Sequence, residues 1–164
     1  MKVVSNSSPL ISLARIGMLN LLKDYFGEIF IPPGVYDEVC FKGKGKPGAE
    51  EVESADWIKL REIENRFAAQ ILEIELDRGE AEVIVLAKEI NADIVLVDDR
   101  RPREVLKRLG FKVLGTVGVL IKAARDGRIN LKETVDELTS KGFRLSKEVY
   151  EEALRQATRR AGEV

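Results

Sequence analysis

Two adjacent carboxylates, Asp98 and Asp99, directly follow the apolar run from Ile94 to Val97. Four consecutive apolar residues are typical of a strand that is buried on both faces of a parallel sheet. Ligands of open α/β sheets bind outside the carboxyl ends of the strands. The two acids therefore stand where a functional site is expected, and we predict its centre there.

Three further apolar elements have polar or acidic residues beside one end. Carboxylates that converge in one place repel one another, so such a cluster requires a cation. These groups are Asn6-Ser7-Ser8 after the first strand, Asp37-Glu38 in the helix after the second strand, and Glu80 and Glu82 at the start of an apolar helix.

The chain contains no histidine. This excludes a Ser-His-Asp triad, a Cys-His dyad and histidine-ligated zinc. Ligation by oxygen atoms alone suits Mg²⁺ or Mn²⁺. A metal of that kind activates water and stabilises charge on a phosphoryl group.

Each acid also has a purely structural interpretation. Glu80 and Glu82 in a first helical turn would complement the helix dipole. Asp37 and Glu38 would form a solvated face, and Asp98 would cap the helix that begins near Arg100. The residues alone leave these alternatives open, including whether Glu82 belongs to the site.

Composition limits the class of protein. A length of 164 residues suits one domain, and a formal net charge of −1 means that any nucleic-acid binding must use local clusters. The single cysteine, Cys40, fits a reducing cytosol. We find no signal peptide or membrane span, so we expect a cytoplasmic protein, and the abundant Lys, Arg and Glu suggest a thermophile.

The elements that must position the acids alternate between strand and helix, which predicts an α/β fold. We expect three α/β/α layers around a central parallel sheet of four or five short strands. Ser8-Pro9 resembles an N-cap followed by proline in the first helical turn. Residues 1–164 are expected to form one domain, with the helices from about residue 130 packing on the core or forming an interface.

Two basic segments are candidates for holding a nucleic-acid backbone, because Lys and Arg contacts to phosphate supply sequence-independent affinity. The alternative is a solvated loop and an ordinary charged helix. The candidates are Lys42, Lys44 and Lys46 in a Gly-Lys loop, and Arg100, Arg101 and Arg103 after the central acids.

Four segments in this order resemble the PIN-domain superfamily. The resemblance is greatest to a branch of uncharacterised prokaryotic PIN-like proteins that carry the Ser-Pro-Leu-Ile and Gly-Glu-Ala-Glu motifs. The segments are Val-Val-Ser-Asn-Ser-Ser-Pro-Leu-Ile, Ile-Pro-Pro-Gly-Val-Tyr-Asp-Glu-Val, Gly-Glu-Ala-Glu-Val-Ile-Val-Leu-Ala and Asp-Ile-Val-Leu-Val-Asp-Asp-Arg-Arg.

The resemblance implies a Mg²⁺- or Mn²⁺-dependent ribonuclease, with a VapC-like toxin among the expected roles. An RNA substrate, an antitoxin protein and a homodimer are the partners it implies. It maps the family's acids onto Glu38, Glu80 and either Asp98 or Asp99. Asn6 takes the position at which the family usually has its first aspartate. Ser8 matches the small hydroxyl residue that follows this aspartate in the family.

Asn6 departs from the family pattern because it is a neutral amide in place of a carboxylate. An amide oxygen can ligate Mg²⁺, but the site loses one negative charge and should bind metal more weakly. The alternative to a ribonuclease is therefore a catalytically degenerate PIN-like protein that binds RNA or a protein partner.

Overall fold

Five short strands form one parallel sheet in a computed structural model that describes residues 1–158. The strands are β1 (Val3–Ser5), β2 (Ile29–Ile31), β3 (Ile58–Leu60), β4 (Ile94–Leu96) and β5 (Val113–Leu114). Their order across the sheet is β3-β2-β1-β4-β5. This confirms the predicted parallel sheet and places β1 at its centre.

Ten α-helices and one π-helical turn, Asp37–Lys42, surround the sheet within the described residues. The helices are α1 (Ser7–Arg15), α2 (Asn20–Phe26), α3 (Pro33–Tyr36), α4 (Ala49–Ser54), α5 (Arg66–Leu72), α6 (Arg78–Glu89), α7 (Arg100–Arg108), α8 (Thr116–Arg125), α9 (Leu131–Ser140) and α10 (Lys147–Thr158).

The helices form two layers, one on each face of the sheet. Helices α1 and α2 pack against α8, which in turn contacts α9 and α10. Helix α6 packs against α5, α7 and β1 in the other layer. The three-layer α/β/α architecture predicted from the sequence is confirmed.

The core lies where the central strands meet these two layers. Val4 on β1 pairs with Phe30 on β2 and with Val95 on β4. Val4 and Val95 are both fully buried, because parallel strands with helices on both faces have no solvent-facing side. Helix α6 buries eight of its twelve residues, as its nearly all-round apolar sequence predicts.

The order of the strands reverses direction between β1 and β4. From β1 the chain proceeds to β2 and β3 on one side, then crosses back to β4 and β5 on the other. Such a reversal opens a crevice at the carboxyl ends of the two strands, which is the usual ligand-binding position in open α/β sheets.

The first helix starts two residues earlier than the sequence suggests. Asn6, with φ −81° and ψ 174°, is the N-cap, so Ser8 already lies inside the first turn. Asn6 nevertheless makes no side-chain capping hydrogen bond. The predicted N-cap at Ser8 is therefore wrong, and its hydroxyl is available for a different contact.

The C-terminal helices pack on the rest of the chain. Helix α10 lies against α8 and α9, and its Ala153 is buried. Residues 159–164 of the predicted domain lie outside the described residues. No helix within residues 1–158 is both long and apolar enough to cross a lipid bilayer.

Candidate metal centre

A cleft at the crossover between β1 and β4 brings together residues from four separate parts of the chain. A hydrogen bond of 2.9 Å from the Asn6 backbone N–H to the Leu96 carbonyl joins the ends of the two strands. The cleft has a volume of about 220 Å³ and is lined by Asn6, Ser7, Ser8, Ile11, Ser12, Arg15, Glu38, Asp77 and Asp99.

Glu38 reaches the cleft from the π-helical turn. Its Oε2 atom accepts a hydrogen bond of 2.9 Å from the Ser7 hydroxyl at the start of α1. A π-helical turn inserts an extra residue into the helical path and is frequent at functional sites. The turn thus places Glu38 beside the residues that follow β1, and its role as an acid of the site stays a prediction.

Glu80 is held at the start of α6 by a capping box with Asp77. The Asp77 carboxylate accepts from the Glu80 N–H at 2.8 Å, and the Glu80 carboxylate accepts from the Asp77 N–H at 3.0 Å. A Cβ at Gly79 would lie 3.4 Å from Glu38 Oε2 and 3.6 Å from Asp77 Oδ1. The carboxylates of Glu38 and Asp77 therefore both lie within van der Waals contact of the Gly79 position at the start of α6.

Asp98 is enclosed by hydrogen-bond donors. Its Oδ2 atom accepts from the hydroxyls of Ser8 at 2.7 Å and Thr116 at 2.8 Å, and its Oδ1 atom accepts from the Thr116 N–H at 2.7 Å. A Cβ at Gly115 would lie 2.9 Å from Oδ1, so a side chain there would displace the carboxylate. Asp98 thus ties the end of β4 to α1 and α8.

Asp99 has a different environment from its neighbour. It is the N-cap residue of α7 but makes no side-chain capping hydrogen bond, and it lines the cleft that also contains Asn6 and Glu38. The structure therefore separates two acids that the sequence could not distinguish. The carboxylate of Asp98 accepts hydrogen bonds from Ser8 and Thr116, whereas Asp99 lines the cleft.

The carboxylates of this region repel one another. Burial raises the pKa of Glu80 above its usual value, and the charges of Asp77, Asp99 and Glu38 raise it further, against a lowering by the Asp77 backbone hydrogen bond. Burial also raises the pKa of Asp99, followed by the charges of Asp98 and Asp77. A cation in the cleft would relieve this repulsion.

The donor atoms fit a hard divalent cation in their chemistry. They are carboxylate oxygens together with the amide of Asn6, which is 4% exposed, and no histidine or cysteine is among them. Within residues 1–158, however, no three acidic or thiol side chains already stand in position to hold a metal ion. Glu38 and Glu80 each accept a protein hydrogen bond on one carboxylate oxygen only, so each keeps a second oxygen for a cation. Both oxygens of Asp98 accept hydrogen bonds from the protein.

Glu82 is not part of the cleft. It is 2% exposed, and its carboxylate accepts from the Gly34 N–H at 2.8 Å and from Arg78 Nε at 2.9 Å. Arg78 also binds Asp37 at 2.7 Å. These contacts fix α3 and the π-helical turn against α6, so Glu82 and Asp37 support the position of Glu38.

Of the six basic residues singled out in the sequence, only Arg103 borders a cavity beside the acids. It lines a larger groove that adjoins the cleft, and its guanidinium donates to the Val97 carbonyl at 2.8 Å. Arg100 pairs with Glu104, and Arg101 donates to the Glu75 carbonyl. Lys42, Lys44 and Lys46 line neither the cleft nor this groove among the described residues.

Sequence reasoning missed several residues that the structure brings to the acids. Asp77 could have been found, because Asp-x-x-Glu immediately before an apolar helix is a capping-box pattern. Thr116 and Arg15 carry no comparable local signal. Their proximity to the site depends on how α1 and α8 pack together.

Comparison with known proteins agrees with this architecture. The model of a family described as a PIN domain matches residues 2–159, which is nearly the whole chain. Among curated proteins, none matches this chain. The extent of the family match, together with the parallel sheet, shows that the chain belongs to the PIN-domain family.

Proposed function

We propose that this protein is a divalent-metal-dependent ribonuclease whose site is the cleft between β1 and β4. The observation that carries the proposal is the position of this cleft at the crossover of the sheet, with Glu38, Asp77 and Asp99 around it. Membership of the PIN-domain family supports a nuclease-like fold and the use of divalent metal.

Glu38 and Asp99, which line the cleft, would hold the ion, with the amide oxygen of Asn6 as a neutral ligand. Glu80 does not line the cleft but interacts electrostatically with Glu38 and Asp99, and it would join them as a third carboxylate ligand. When bound, Mg²⁺ or Mn²⁺ supplies charge stabilisation for phosphoryl oxygens and favours deprotonation of water. Asp98 would act as a positioning residue, because its carboxylate already accepts hydrogen bonds from Ser8 and Thr116. Its role would be to fix the end of β4 so that Asp99 faces the cleft.

The reaction would be hydrolysis of a phosphodiester. A water molecule loses a proton as its oxygen forms a bond to phosphorus, one ester P–O bond breaks, and the departing oxygen takes up a proton in exchange. Arg15 borders the cleft and is exposed. Its guanidinium would bind the phosphate through charge-assisted hydrogen bonds and orient it towards the acids.

Cleavage of a 5′-labelled RNA in the presence of Mn²⁺, with EDTA as the metal-free control, tests the proposal. Glu38→Gln and Asp99→Asn should abolish cleavage. Glu28→Gln should not, because Glu28 directly precedes β2 at the opposite end of the sheet. Equal cleavage by all four proteins would show that the acids of the cleft do not carry the activity.

A second function, RNA binding without cleavage, is favoured by one observation. Asn6 occupies the cleft at the end of the central strand and contributes no negative charge there. A protein of this kind would retain RNA on a filter but leave it intact during prolonged incubation with Mn²⁺. Metal-dependent cleavage that is lost in Asp99→Asn would contradict it.

We also propose a biological setting, in which the ribonuclease is a VapC-like toxin that an antitoxin protein neutralises and that acts as a homodimer. The family match supports this setting only through the shared PIN fold. Induced expression in a bacterial host should arrest growth, and Asp99→Asn should abolish the arrest. Sedimentation of the purified protein should give the mass of a dimer.

A further inference from the structure

Asp77 is a carboxylate of the cleft that lies outside the four segments resembling the PIN-domain superfamily. It directly precedes α6 and lines the cleft together with Glu38 and Asp99. The resemblance assigns an acid to Glu80, three residues further along the chain, and none to residue 77. The role of Asp77 must therefore be argued from the contacts of this chain.

One oxygen of Asp77 is used by the fold, and the other is not. Oδ1 accepts the 2.8 Å hydrogen bond from the Glu80 N–H, as the N-cap of α6. Within residues 1–158, Oδ2 accepts no hydrogen bond and Asp77 forms no ion pair. The side chain is exposed, so Oδ2 is free to bind a ligand in the cleft while Oδ1 keeps the cap.

Asp77 lies close to the other acids of this region. Its Oδ1 atom would lie 3.6 Å from a Cβ at Gly79, and Glu38 Oε2 would lie 3.4 Å from the same point. Burial raises the pKa of Glu80 and of Asp99, and the charge of Asp77 raises both further. The negative charge of Asp77 thus acts on acids that come from α6 and from the end of β4.

The Asn6 side chain provides a separate observation that points to a ligand. Asn6 is 4% exposed, and its amide makes neither a capping nor any other hydrogen bond within residues 1–158. No side-chain nitrogen or oxygen of this part of the chain is both sealed from solvent and without a partner. The Asn6 amide therefore opens onto the cleft that it lines. Buried polar groups are normally paired, so an amide with no partner in the protein indicates a partner in the cleft.

Asn6 and Asp77 complement each other chemically. Asn6 offers an oxygen without charge, and Asp77 offers a charged oxygen from a different element. Hard divalent cations bind oxygen ligands, and their affinity increases with the number of charged ligands. A carboxylate at residue 77 would supply the negative charge that an amide at residue 6 lacks.

We propose that Asp77 is a ligand of the divalent cation and replaces the charge that is missing at Asn6. This inference rests on the proposed function, since it assigns a further residue to the same site. Asp77 would have two roles, because one oxygen caps α6 and the other binds the ion. The cap holds the carboxylate in place before the ion binds, so little conformational freedom is lost on binding.

Asp77→Asn separates the charge of this side chain from its cap. Asn and Asp are equally good N-cap residues, so the variant keeps an acceptor for the Glu80 N–H and loses the charge. Calorimetric titration should show Mn²⁺ affinity at least about tenfold weaker than that of the native protein. The melting temperature without metal should stay close to the native value. Unchanged Mn²⁺ affinity would overturn the proposal.

Asp56→Asn is the matched control for the loss of a carboxylate. Asp56 is exposed, forms no ion pair among the described residues, and precedes β3 at the amino ends of the strands, away from the cleft. This variant should bind Mn²⁺ as the native protein does. An equal loss of affinity in both variants would show that Asp77 acts only through the net charge, which would overturn its role as a ligand.

The double variant Asn6→Asp/Asp77→Asn tests whether one charge replaces the other. It has as many carboxylates as the native protein, with one moved from residue 77 to residue 6. Its Mn²⁺ affinity should return to within about threefold of the native value, because the number of charged ligands is restored. Affinity as weak as that of Asp77→Asn alone would overturn the proposed replacement. Asp77→Ser, which also keeps a cap, serves as a second variant if Asp77→Asn lowers the melting temperature.

The same titrations distinguish failure of this proposal from failure of the proposed function. Mn²⁺ binding that is lost in Asp99→Asn and unchanged in Asp77→Asn would overturn the role of Asp77 and leave the proposed function standing. Mn²⁺ binding that requires Asp77, without cleavage of RNA, would support Asp77 and contradict the ribonuclease. No binding of millimolar Mn²⁺ to the native protein would overturn both.

Discussion

Ser8 in α1 donates a 2.7 Å hydrogen bond to Asp98 at the end of β4, across 90 residues of sequence. Thr116 donates a second hydroxyl hydrogen bond to the same oxygen at 2.8 Å. This contact joins three elements at the carboxyl edge of the sheet. It leaves Asp99, rather than Asp98, facing the cleft.

Replacing Thr116 by Val removes the hydroxyl and keeps the shape and the backbone N–H. Since the hydroxyl binds a charged partner, we expect the free energy of unfolding to fall by about 1 to 2 kcal/mol. Mn²⁺-dependent RNA cleavage should fall about tenfold, as is typical when a group that orients a metal site is lost. Urea unfolding and a cleavage assay provide the two measurements.

Thr134→Val is the matched control for this substitution. Thr134 lies in α9, away from the cleft, and is 5% exposed. Its hydroxyl donates to the carbonyl of Asn130, the N-cap residue of α9. This variant should lose stability but keep full cleavage activity. Equal loss of cleavage in both variants would mean that Thr116 acts only through stability.

Replacing Glu82 by Gln should destabilise the protein without removing a candidate ligand. Gln keeps only one of the two acceptor oxygens, so either the Gly34 N–H or Arg78 Nε loses its partner, and the ion pair of the buried carboxylate with Arg78 is lost. We expect the free energy of unfolding to fall by roughly 2 kcal/mol. Glu104→Gln removes an exposed pair with Arg100 and should leave stability unchanged. Similar effects of both substitutions would contradict a structural role for Glu82.

Replacing Asp99 by Asn should stabilise the metal-free protein, because it removes one of several carboxylates that repel one another. The pKa of Asp99 is raised in the folded state, by burial first and then by Asp98 and Asp77. The folded protein therefore binds this proton more tightly than the unfolded chain, and stability falls as the pH rises through the unfolded and then the folded pKa.

The gain in the free energy of unfolding of Asp99→Asn should accordingly appear at pH 7. It should disappear near pH 3, where the native carboxyl is protonated. Solvent screening of this exposed side chain limits the gain to less than about 1 kcal/mol. Thermal unfolding in EDTA at both pH values measures it, with Glu28→Gln as the control. A loss of stability at pH 7 would show that Asp99 makes favourable contacts in the metal-free protein.

Replacing Asn6 by Asp should tighten Mn²⁺ binding about tenfold, because affinity for a hard cation increases with the number of charged ligands. The same variant should be less stable without metal, since Asn6 is only 4% exposed and the cleft already contains acids. Asn20→Asp, on the exposed surface of α2, should change neither property. Unchanged Mn²⁺ affinity in Asn6→Asp would place residue 6 outside the metal site.

The sequence was sufficient to predict the sheet, because each strand is a short apolar run bounded by turn residues or helical patterns. It was also sufficient to single out Glu38, which lies beside Ser7 after β1, and Glu80, which opens α6. The sequence could not show which of Asp98 and Asp99 faces the cleft. Ser8 and Thr116 decide this by binding Asp98, and they reach it only when α1 and α8 have packed. The start of α1 at Asn6 was missed because Asn6 caps the helix without using its side chain.

The larger groove beside the cleft was equally beyond sequence reasoning. Arg15 and Arg144 are separated by most of the chain and meet only where the α9–α10 connector passes the end of α1. The Lys-rich loop and Arg101 were predicted to bind nucleic acid because their charges cluster locally in the sequence. Local clustering of charge does not determine which side chains face a cavity. Whether Lys42, Lys44 and Lys46 contact RNA stays a prediction.

The central claim is that the cleft between β1 and β4 is a divalent-metal site in which Asp99 is a ligand. Calorimetric titration of Mn²⁺ into the metal-free protein tests it most directly, with native, Asp99→Asn, Asp98→Asn and Glu28→Gln proteins compared at one pH. We predict binding to the native protein and to Glu28→Gln, no binding to Asp99→Asn, and weakened binding to Asp98→Asn. No binding to the native protein at millimolar Mn²⁺, or undiminished binding to Asp99→Asn, would contradict the account.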